Sequence, residues 1–406
     1  MVSVDEAKKI IAQNVQNVGN EEVQMLAAHG RILATDIVAQ DDIPQFDNSS
    51  MDGFALRASD TTGATDTSPV TLPLVDEVAA GQTLGRSFVP HSIIRIMTGA
   101  PIPPGVDSVI EQEAVSSKNG SVAMQKPVSP GRNIRRKGED IKCGTTALHK
   151  GTMLRAAQLG VLGSLGISMV RVSRRPKTAF LTTGNELVAP DEKLTPGKIR
   201  NSNALMLSGL LTESGCEPKN LGVASDREDV LEAKIEEGLA YDALITSGGV
   251  SVGKYDLVLE VMRKVGVDIK FWKVNVKPGM PFAFGTHNKT GQSQVHVFCL
   301  PGNPVSTMVT FLQFVRPALF RMMGRTEETL YTLKATLEHD IRKEDNKRHF
   351  NRGIVRNEDG RLLVRTTGTQ SSAVLSSLAM ANCLVVIPEE TRFVCAGDTV
   401  EIELLQ

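Results

Sequence analysis

The chain has 406 residues, which is too many for one ordinary hydrophobic core and predicts two to four domains. Hydrophobic residues make up 41% of it and charged residues 22%, as in ordinary globular proteins. The 45 basic and 46 acidic side chains leave a net charge of −1, and 4% of the residues are aromatic. This composition argues against nucleic-acid binding through bulk charge or base stacking, although a local basic groove stays open.

The cysteines and the apolar runs bear on the compartment. The five cysteines are scattered and form no CxxC pair, so neither a disulfide framework nor a zinc site is expected and a reducing compartment is favoured. No stretch approaches the roughly 18 apolar residues of a membrane-spanning helix, and no basic segment precedes an apolar run at the N-terminus. We expect a cytoplasmic protein that binds neither nucleic acid nor a membrane.

The first 140 residues change character near residue 43. Ser3 and Glu6 form a capping box ahead of apolar residues at helical spacing, so a helix is predicted here, and a second short helix is predicted around residues 23–33. From residue 43 to 140, Gly, Pro, Ser, Thr and Asp separate short β-prone runs. This pattern predicts a mainly β region with long loops.

Residues 178–323 alternate strand and helix signals, which is typical of a parallel sheet with right-handed crossovers. We predict a doubly wound α/β domain over residues 176–325, with Asp226 capping one helix and Asn303 and Pro304 opening the last. After Gly324 short strands return, which predicts a small β-barrel or sandwich. The predicted strands are 178–181, 221–224, 243–246, 296–300, 332–338, 361–366, 383–388 and 398–404.

Ligands of open α/β sheets bind beyond the carboxyl ends of the strands, so the loops that leave those ends are candidate site segments. The first, residues 182–186, is as consistent with a plain turn as with a site. The second, residues 246–253, holds three glycines and two serines ahead of Asp256. Glycines let backbone N–H groups approach an anion, which favours phosphate binding over a connector in which Asp256 only caps a helix. The segment is neither a Walker A loop nor a GxGxxG fingerprint, which disfavours ordinary ATPase and NAD-binding functions.

The third and fourth segments add lysines and a helix start. If residues 271–279 are extended, Lys273, Asn275 and Lys277 share one face. The two lysines are then about 13 Å apart at ~3.3 Å per residue, which suits two anionic groups of one larger ligand, although a solvated strand face is equally consistent. In the fourth segment, Asn303 suits a helix N-cap and Pro304 the first helical position.

Acidic residues share this predicted edge, since Glu186 lies in the first of the four segments and Asp256 follows the second. Carboxylates beside phosphate-binding elements favour a divalent metal, most naturally Mg²⁺. Outside the domain, residues 49–55, 95–100 and 135–140 each place charge beside glycine, for which a solvated turn is the plainer interpretation. The seven histidines have no HxH or HExxH spacing, which disfavours a histidine metal site.

Eight motifs occur in one order: SMDGFA, RIMTGAP, RRKGEDI, TTGNEL, PGKIRNSN, TSGGVSVGKYD, FWKVNVKPGMPFAFG and LPGNPVS. The set resembles the molybdopterin molybdenumtransferases, the family of bacterial MoeA and the E domain of gephyrin, over essentially the whole chain. The resemblance implies a multidomain α/β plus β fold and an elongated homodimer, in which the inserted domain of one protomer faces the α/β cleft of the other. The implied domains are a partly helical elongated domain (1–45 and 141–175), an inserted mainly β domain (46–140), the molybdopterin-binding α/β domain (176–325) and a C-terminal β-barrel-like domain (326–406).

The resemblance also implies a reaction and roles for the matched residues. Adenylylated molybdopterin and molybdate would be the substrates, molybdenum would be inserted, AMP would be released, and a molybdopterin adenylyltransferase would be the upstream partner. Asp256, Glu186 and Asp226 would form an acidic set, of which Asp256 and Glu186 bind Mg²⁺. Lys273 and Lys277 would hold molybdate or the phosphates of the ligand.

The remaining implied site residues fall into two groups. Asp52, Thr98 and Asp140 would come from the partner chain. The residues implied to bind the cofactor precursor, of which the last three lie near the oxyanion, are Thr183, Gly184, Ser202, Ser247, Gly248, Gly249, Ser251, Pro301, Gly302, Asn303, Pro304, Arg348, Arg352 and Ser372.

Two positions depart from the family's pattern, and two other functions stay open. Many relatives have Asp in place of Asn185, so Glu186 acts there as a lone carboxylate, and many bacterial relatives have Lys in place of Met280, so the positive lining is thinner. A molybdopterin adenylyltransferase shares the α/β domain but normally consists of little else, and the additional regions disfavour it. A scaffold that has lost turnover is disfavoured by the intact acidic residues and lysines.

Overall fold

The computed structural model of the protein describes residues 1–249, 257–288, 294–325 and 331–405. Within these ranges, no helix combines the length and apolar character needed to cross a membrane. The chain divides into a helical and β N-terminal region, an inserted β region, a central α/β region and a C-terminal barrel. This arrangement confirms the predicted multidomain α/β plus β fold.

The central region is built on a six-stranded sheet. In chain order its strands are β1 Lys177–Thr183, β2 Glu217–Ala224, β3 Ala243–Ser247, β4 Asp268–Trp272, β5 Ala283–His287 and β6 Val295–Leu300. Their order in the sheet is β2-β1-β3-β6-β5-β4. Strands β1, β2, β3 and β6 are parallel to one another, whereas β5 is antiparallel to both β4 and β6. The carboxyl ends of β1, β2, β3, β4 and β6 therefore lie at one edge of the sheet.

Helices cover both faces of this sheet, so the domain is doubly wound as predicted. The helices are α1 Ser202–Glu213, α2 Glu228–Gly238, α3 Leu257–Lys264, α4 Pro304–Thr310 and α5 Arg316–Met322, the last two joined by a π-helical turn Phe311–Val315. Alternate strand residues pack in opposite directions: Phe180 and Ile245 contact the layer of α1 and α4, while Ala179 and Leu244 contact the layer of α2 and α3. Burial on both faces explains why the central strands read as continuous apolar runs.

The C-terminal region forms a closed five-stranded barrel, which confirms the predicted barrel-like domain. Closure arises because strand Arg348–Glu358 pairs with both Arg361–Thr366 and Cys383–Ile387. Thr332–Leu337 and Thr399–Leu404 complete the ring. Smaller elements are a helix Ser376–Met380, a strand pair Ile341–Arg342 with Phe393–Val394, and a strand Val276–Lys277 that joins the barrel's edge.

The N-terminal region agrees with one predicted helix and contradicts the other. Helix Val4–Asn14 begins where the Ser3 hydroxyl accepts a hydrogen bond from the Glu6 N–H at 3.1 Å. The helix predicted over residues 23–33 is wrong, because strand Asn20–Gln24 pairs there with the distant strand Met169–Ser173. Further elements are a 3₁₀ turn Met25–Ala28, a helix Ala156–Ser164, and the strand pair Ile37–Val38 with Thr146–Leu148.

The inserted region is mainly β, in line with its dense turn residues. It carries a six-stranded sheet and two 3₁₀ turns, Ala58–Thr61 and Gln112–Ala114. A short pair, Asn48–Ser49 with Ile134–Arg135, lies where the chain enters and leaves this region. The strands of the sheet are Gly53–Leu56, Val70–Val78, Ile93–Ile96, Ser108–Glu111, Ser116–Lys118 and Ser121–Met124.

Candidate active site

A cleft of about 730 Å³ opens at the carboxyl edge of the central sheet. It brings together loops that follow β1, β2, β3 and β6, as expected for a parallel sheet. A short strand pair, Leu187–Val188 with Ile199–Arg200, flanks it. The implied site residues that line the cleft are Thr183, Gly184, Glu186, Ser202, Asp226, Ser247, Gly248, Gly249, Pro301, Gly302, Asn303 and Pro304.

A hydrogen-bond network fixes the floor of the cleft. The hydroxyls of Ser247 and Thr307 both donate to the Pro301 carbonyl, at 3.2 and 2.6 Å. The Asn203 side-chain amide donates to Ser247 Oγ at 2.9 Å and to the Gly302 carbonyl at 2.7 Å. These bonds lock the end of β3, the start of α4 and the first turn of α1 to one another.

The turn after β3 requires glycine for two reasons. Gly248 and Gly249 have φ of +97° and +66°, in the left-handed region that disfavours side chains. A Cβ on Gly248 would also lie 2.7 Å from the Thr183 carbonyl oxygen, and one on Gly249 would lie 2.3 Å from Val258 Cγ2. The turn therefore brings bare backbone against β1, as expected of a segment that approaches an anion.

The acidic side of the cleft carries Glu186 and Asp226. The Asn185 N–H donates to the Asp226 carboxylate at 3.4 Å, and the Asp226 N–H donates to Asn185 Oδ1 at 3.2 Å. The prediction that Asp226 caps α2 is wrong, because Arg227 occupies the N-cap position. Asp226 lines the cleft instead. Asp256 and Ser251, assigned from the sequence to this site, lie outside the described residues.

The C-terminal barrel region closes one side of the cleft. The Asn303 side-chain amide donates to Ser372 Oγ at 2.9 Å, and the Val305 N–H donates to the Ser372 carbonyl at 3.4 Å. Ala373 lines the cleft next to this contact. Ser372, implied from the sequence to lie near the site, is therefore held at its rim by the start of α4.

A second cavity of about 490 Å³ lies between the 277–278 segment and the barrel. Arg352 lines it and is fully buried, and no acidic side chain contributes to the pKa of its guanidinium, which burial lowers. The guanidinium donates to Ser377 Oγ and to the carbonyls of Thr369 and Ser371, at 3.1, 3.3 and 3.1 Å. Its Nη1 has no hydrogen-bond partner among the described residues. A buried cation with an unused donor is suited to an oxyanion.

Lys277 reaches the same cavity beside a carboxylate and an imidazole. Its Nζ lies 3.5 Å from Asp345, whose carboxylate also contacts His349 Nε2 at 2.7 Å. Burial opposes ionisation of Asp345, but the hydrogen bonds from His349 and the Lys347 N–H and the charge of Lys277 outweigh it and lower its pKa to about 2. Burial lowers the pKa of His349.

The cleft and the second cavity share two walls. Pro278 and Ser371 line the second cavity, while Pro281 and Ala373, three and two residues further on, line the cleft. Gly279 fits between them with φ of +112°, and a Cβ there would lie 2.4 Å from Thr310 Cγ2 on α4. The two cavities are therefore neighbours along one rim.

Lys273 does not share a face with Lys277, so the prediction of one extended lysine-bearing strand is wrong. Strand β4 ends at Trp272, and Lys273 has φ of +70°, which turns the chain. The Lys273 ammonium instead lies 4.0 Å from the centre of the Trp272 ring. It lines neither cavity, although it follows a strand whose carboxyl end lies at the site edge.

Arg348 likewise lines neither the cleft nor the second cavity. Its guanidinium contacts both carboxylate oxygens of Asp5 at 2.7 and 2.8 Å and Glu389 at 3.0 Å. These contacts join the N-terminal helix to the barrel. They explain the position of Arg348 structurally, and its contact with a ligand stays a prediction.

The three charged loops outside the central region meet at one edge. Ser49 pairs with Ile134 and its backbone exchanges hydrogen bonds with the 99–100 turn. Beside it, the Thr98 N–H and hydroxyl donate to the Asp52 carboxylate at 2.8 and 2.7 Å and hold its pKa below the usual range. Asp140 is exposed on the neighbouring segment. None of these side chains lines the cleft of its own chain.

Some residues of the site were not identified from the sequence. They include Asn203 in the cleft and the pair of Asp345 and His349 beside the second cavity. Asn203 donates to Ser247 and Gly302, which lie 44 and 99 residues away, and Asp345 contacts Lys277 in another region of the chain. The only local signal for Asn203 is its place within PGKIRNSN, where Asn201 caps α1 by accepting from the Ala204 N–H.

Three family profiles match the chain in succession. They are the MoeA N-terminal region (domain I and II) at residues 2–166, the probable molybdopterin binding domain at 179–321 and the MoeA C-terminal region (domain IV) at 334–405. The chain is 38% identical to the molybdopterin molybdenumtransferase of Haemophilus influenzae, over 99% of this chain and 98% of the relative. It is 34% identical to the molybdopterin molybdenumtransferase of Bacillus subtilis, over 100% and 94% of the two chains. A crystal structure of a molybdopterin biosynthesis moeA protein from Pyrococcus horikoshii matches with a TM-score of 0.86 at 33% identity, over 100% of both chains.

Proposed function

The chain belongs to the MoeA family of molybdopterin molybdenumtransferases, and on this premise we propose that it inserts molybdenum from molybdate into molybdopterin. We further propose that molybdopterin arrives in its adenylylated form and that AMP is the leaving group. The single observation that carries the proposal is the shared rim of the cleft and the second cavity. A large anionic ligand in the cleft would extend toward the cations that receive the oxyanion.

The cleft suits a ligand that carries a pterin and phosphates. The turn at Gly248 and Gly249 and the start of α4 at Pro304 face it with backbone, and both are elements that favour an anion. Polar side chains that can orient a heterocycle surround them, including Thr183 and Ser202. Its volume of about 730 Å³ lies within the range of small-molecule sites.

The second cavity suits molybdate, which carries two negative charges. Arg352 and Lys277 are the cations expected to hold it, since the buried guanidinium has a spare donor and the ammonium borders the cavity. Holding molybdate beside the phosphates of a second ligand requires that repulsion be offset. Cations in a partly desolvated cavity supply that attraction more strongly than cations in water.

Mg²⁺ fits the acidic side of the cleft. Glu186 and Asp226 are hard oxygen donors on one wall, and Mg²⁺ is usually bound by one or two carboxylates, with waters and substrate phosphates completing its shell. We assign the metal to Glu186 and Asp256, as the family resemblance implies, with Asp226 as the third residue of the acidic set. The described residues alone contain no group of three potential ligands. When bound, the metal would stabilise negative charge on the phosphates of the leaving AMP.

We also propose that the working form is a homodimer. The edge that carries Asp52, Thr98 and Asp140 presents exposed or half-exposed polar groups that contribute nothing to the cleft of their own chain. Placed against a second copy, this edge would complete the open side of the cleft. A molybdopterin adenylyltransferase is the proposed upstream partner, because it would supply the adenylylated substrate.

The decisive assay incubates the purified protein with adenylylated molybdopterin, molybdate and Mg²⁺. We expect AMP to be released in step with formation of molybdenum cofactor, measured by reconstitution of a molybdenum-dependent reporter enzyme.

Asp256→Asn should abolish both products. Lys277→Ala should raise the KM for molybdate by about 10-fold through loss of one charge-assisted contact. Lys270→Ala, which removes an exposed lysine that lines neither cavity, is the matched control. Consumption of ATP with plain molybdopterin, without molybdenum insertion, would contradict the proposal.

A further inference from the structure

Asn203 is buried in the floor of the cleft with one half of its side chain engaged and the other half free. It lies in the first turn of α1, is 8% exposed and lines the cleft. Its Nδ2 donates to Ser247 Oγ, to the Gly302 carbonyl and, more weakly at 3.3 Å, to Thr307 Oγ1. Its Oδ1 has no hydrogen-bond partner among the described residues.

The orientation of this amide is fixed by its neighbours. The Gly302 carbonyl can only accept, so the atom that faces it at 2.7 Å must be the nitrogen. The hydroxyls of Ser247 and Thr307 can both donate to the Pro301 carbonyl, and their oxygens then accept from the same nitrogen. Rotating the amide would oppose Oδ1 to the Gly302 carbonyl oxygen at 2.7 Å. Oδ1 is therefore held as an acceptor that none of the described residues satisfies.

A buried acceptor without a partner is rare in native proteins and is usually satisfied by water or a ligand. Because the proposed ligand of this cleft is molybdopterin linked to AMP, the donors available are ring amino groups, ring N–H groups and the ribose hydroxyls of AMP. At neutral pH, phosphates, thiolates and oxo groups accept hydrogen bonds and do not donate them. We propose that Asn203 is a specificity residue whose Oδ1 accepts a hydrogen bond from the amino group of a bound heterocycle, an inference that rests on the proposed function. The pterin and the adenine both carry such a group.

The test compares ligands that differ only in this amino group. Dissociation constants would be measured by titration calorimetry, or by ligand-observed NMR where binding is weak, for pterin against its 2-oxo analogue lumazine and for AMP against IMP. The wild-type protein should prefer the amino member of one pair by about 10-fold, since the oxo analogue opposes an oxygen to Oδ1 and leaves that acceptor unpaired. The pair that shows the preference identifies which ring Asn203 contacts.

Substitution then assigns the preference to the residue. Asn203→Ala should reduce it to about 3-fold or less, because the acceptor is gone for both members of the pair. Thr212→Ala, an exposed change on the same helix, should leave it intact. A role that is only structural would weaken both members of a pair equally and keep their ratio.

The inference is overturned if the wild-type protein shows no amino preference in either pair, or if Asn203→Ala keeps the preference. A wild-type protein without the preference overturns the inference even if Asn203→Ala fails to fold. These binding measurements do not depend on turnover. A protein that discriminates between the ligands but forms no molybdenum cofactor would therefore refute the proposed function and leave this inference standing.

Discussion

Thr183 ends strand β1 at the cleft, and its buried hydroxyl has no hydrogen-bond partner in the described ranges. We predict that Thr183→Val keeps the free energy of unfolding within about 1 kcal/mol of wild type or raises it, because valine has the same shape and no bond is lost. If the hydroxyl binds the ligand, the same change should raise the KM for adenylylated molybdopterin about 3- to 10-fold. Denaturant unfolding and steady-state kinetics measure the two effects. An unchanged KM would remove Thr183 from the binding residues.

Asp345 links Lys277 to His349 and should make stability depend on acid. Its pKa in the folded protein, about 2, lies below its ordinary value of 3.8, so its contribution is complete above about pH 5 and is lost as the pH falls through 3.8 toward 2. Allowing for its partial exposure, we expect this carboxylate to account for roughly 1–2 kcal/mol of the stability lost between pH 5 and pH 2.5. Urea unfolding of the wild type and of Asp345→Asn at the two values measures it. An equal pH dependence in both proteins would contradict the assignment.

At this scale the sequence predicted where backbone-positioned residues lie and did not predict where long side chains point. Glycine, serine and proline at strand ends, such as Ser247 and Pro301, reach the cleft because strand direction alone carries them there. Lys273 and Arg348 have long side chains whose direction depends on a positive φ or on a carboxylate hundreds of residues away. No local pattern encodes either cause.

The turn after β3 provides a test at the scale of an element. Gly248 and Gly222 both have positive φ, +97° and +86°, but a Cβ on Gly222 would meet nothing within 4 Å. Gly222→Ala should therefore cost only backbone strain, about 1 kcal/mol. Gly248→Ala should cost about 2–4 kcal/mol and weaken substrate binding, because its Cβ would lie against the Thr183 carbonyl. Thermal unfolding of the two variants measures the difference, and equal losses would show that the close approach to β1 is not rigid.

Two elements show why strand and helix prediction failed outside the central domain. Residues 23–33 have apolar spacing compatible with a helix, but pairing with Met169–Ser173 makes their first part a strand. Strand Arg348–Glu358 was missed because its buried inner positions include polar residues such as Asn351 and Arg352. In both cases a partner distant in sequence overrides the local signal. The inner strands β1, β3 and β6 were predicted well because burial on both faces makes them almost uniformly apolar, whereas β4 and β5 were not predicted as strands.

For the whole molecule, the placement of the site at a junction of regions is the main result that sequence patterns do not contain. The cleft belongs to the central sheet, but Ser372 and Ala373 close it from the barrel region, and Arg352 of the barrel lines the neighbouring cavity. The contact of Arg348 with Asp5 further ties the barrel to the N-terminal helix. A change in how these regions meet would alter both cavities together.

The proposed homodimer makes the strongest prediction at this scale, because it assigns Asp52 to the partner's site. Asp52→Asn and Glu186→Gln should each be nearly inactive as pure dimers. When the two are mixed and allowed to exchange subunits, random pairing makes about half of the dimers mixed, and each mixed dimer has one site with both lesions and one intact site. About a quarter of wild-type activity should return, as expected of shared isologous interfaces.

The control mixes Glu186→Gln with Asp226→Asn, whose lesions lie in the same cleft. Every site in those mixed dimers contains one lesion, so no activity should return. Subunit exchange is verified in both mixtures by co-purification of differently tagged chains. If Asp52 acted on the cleft of its own chain, the first mixture would stay as inactive as the second, and that result with proven exchange would refute the shared site.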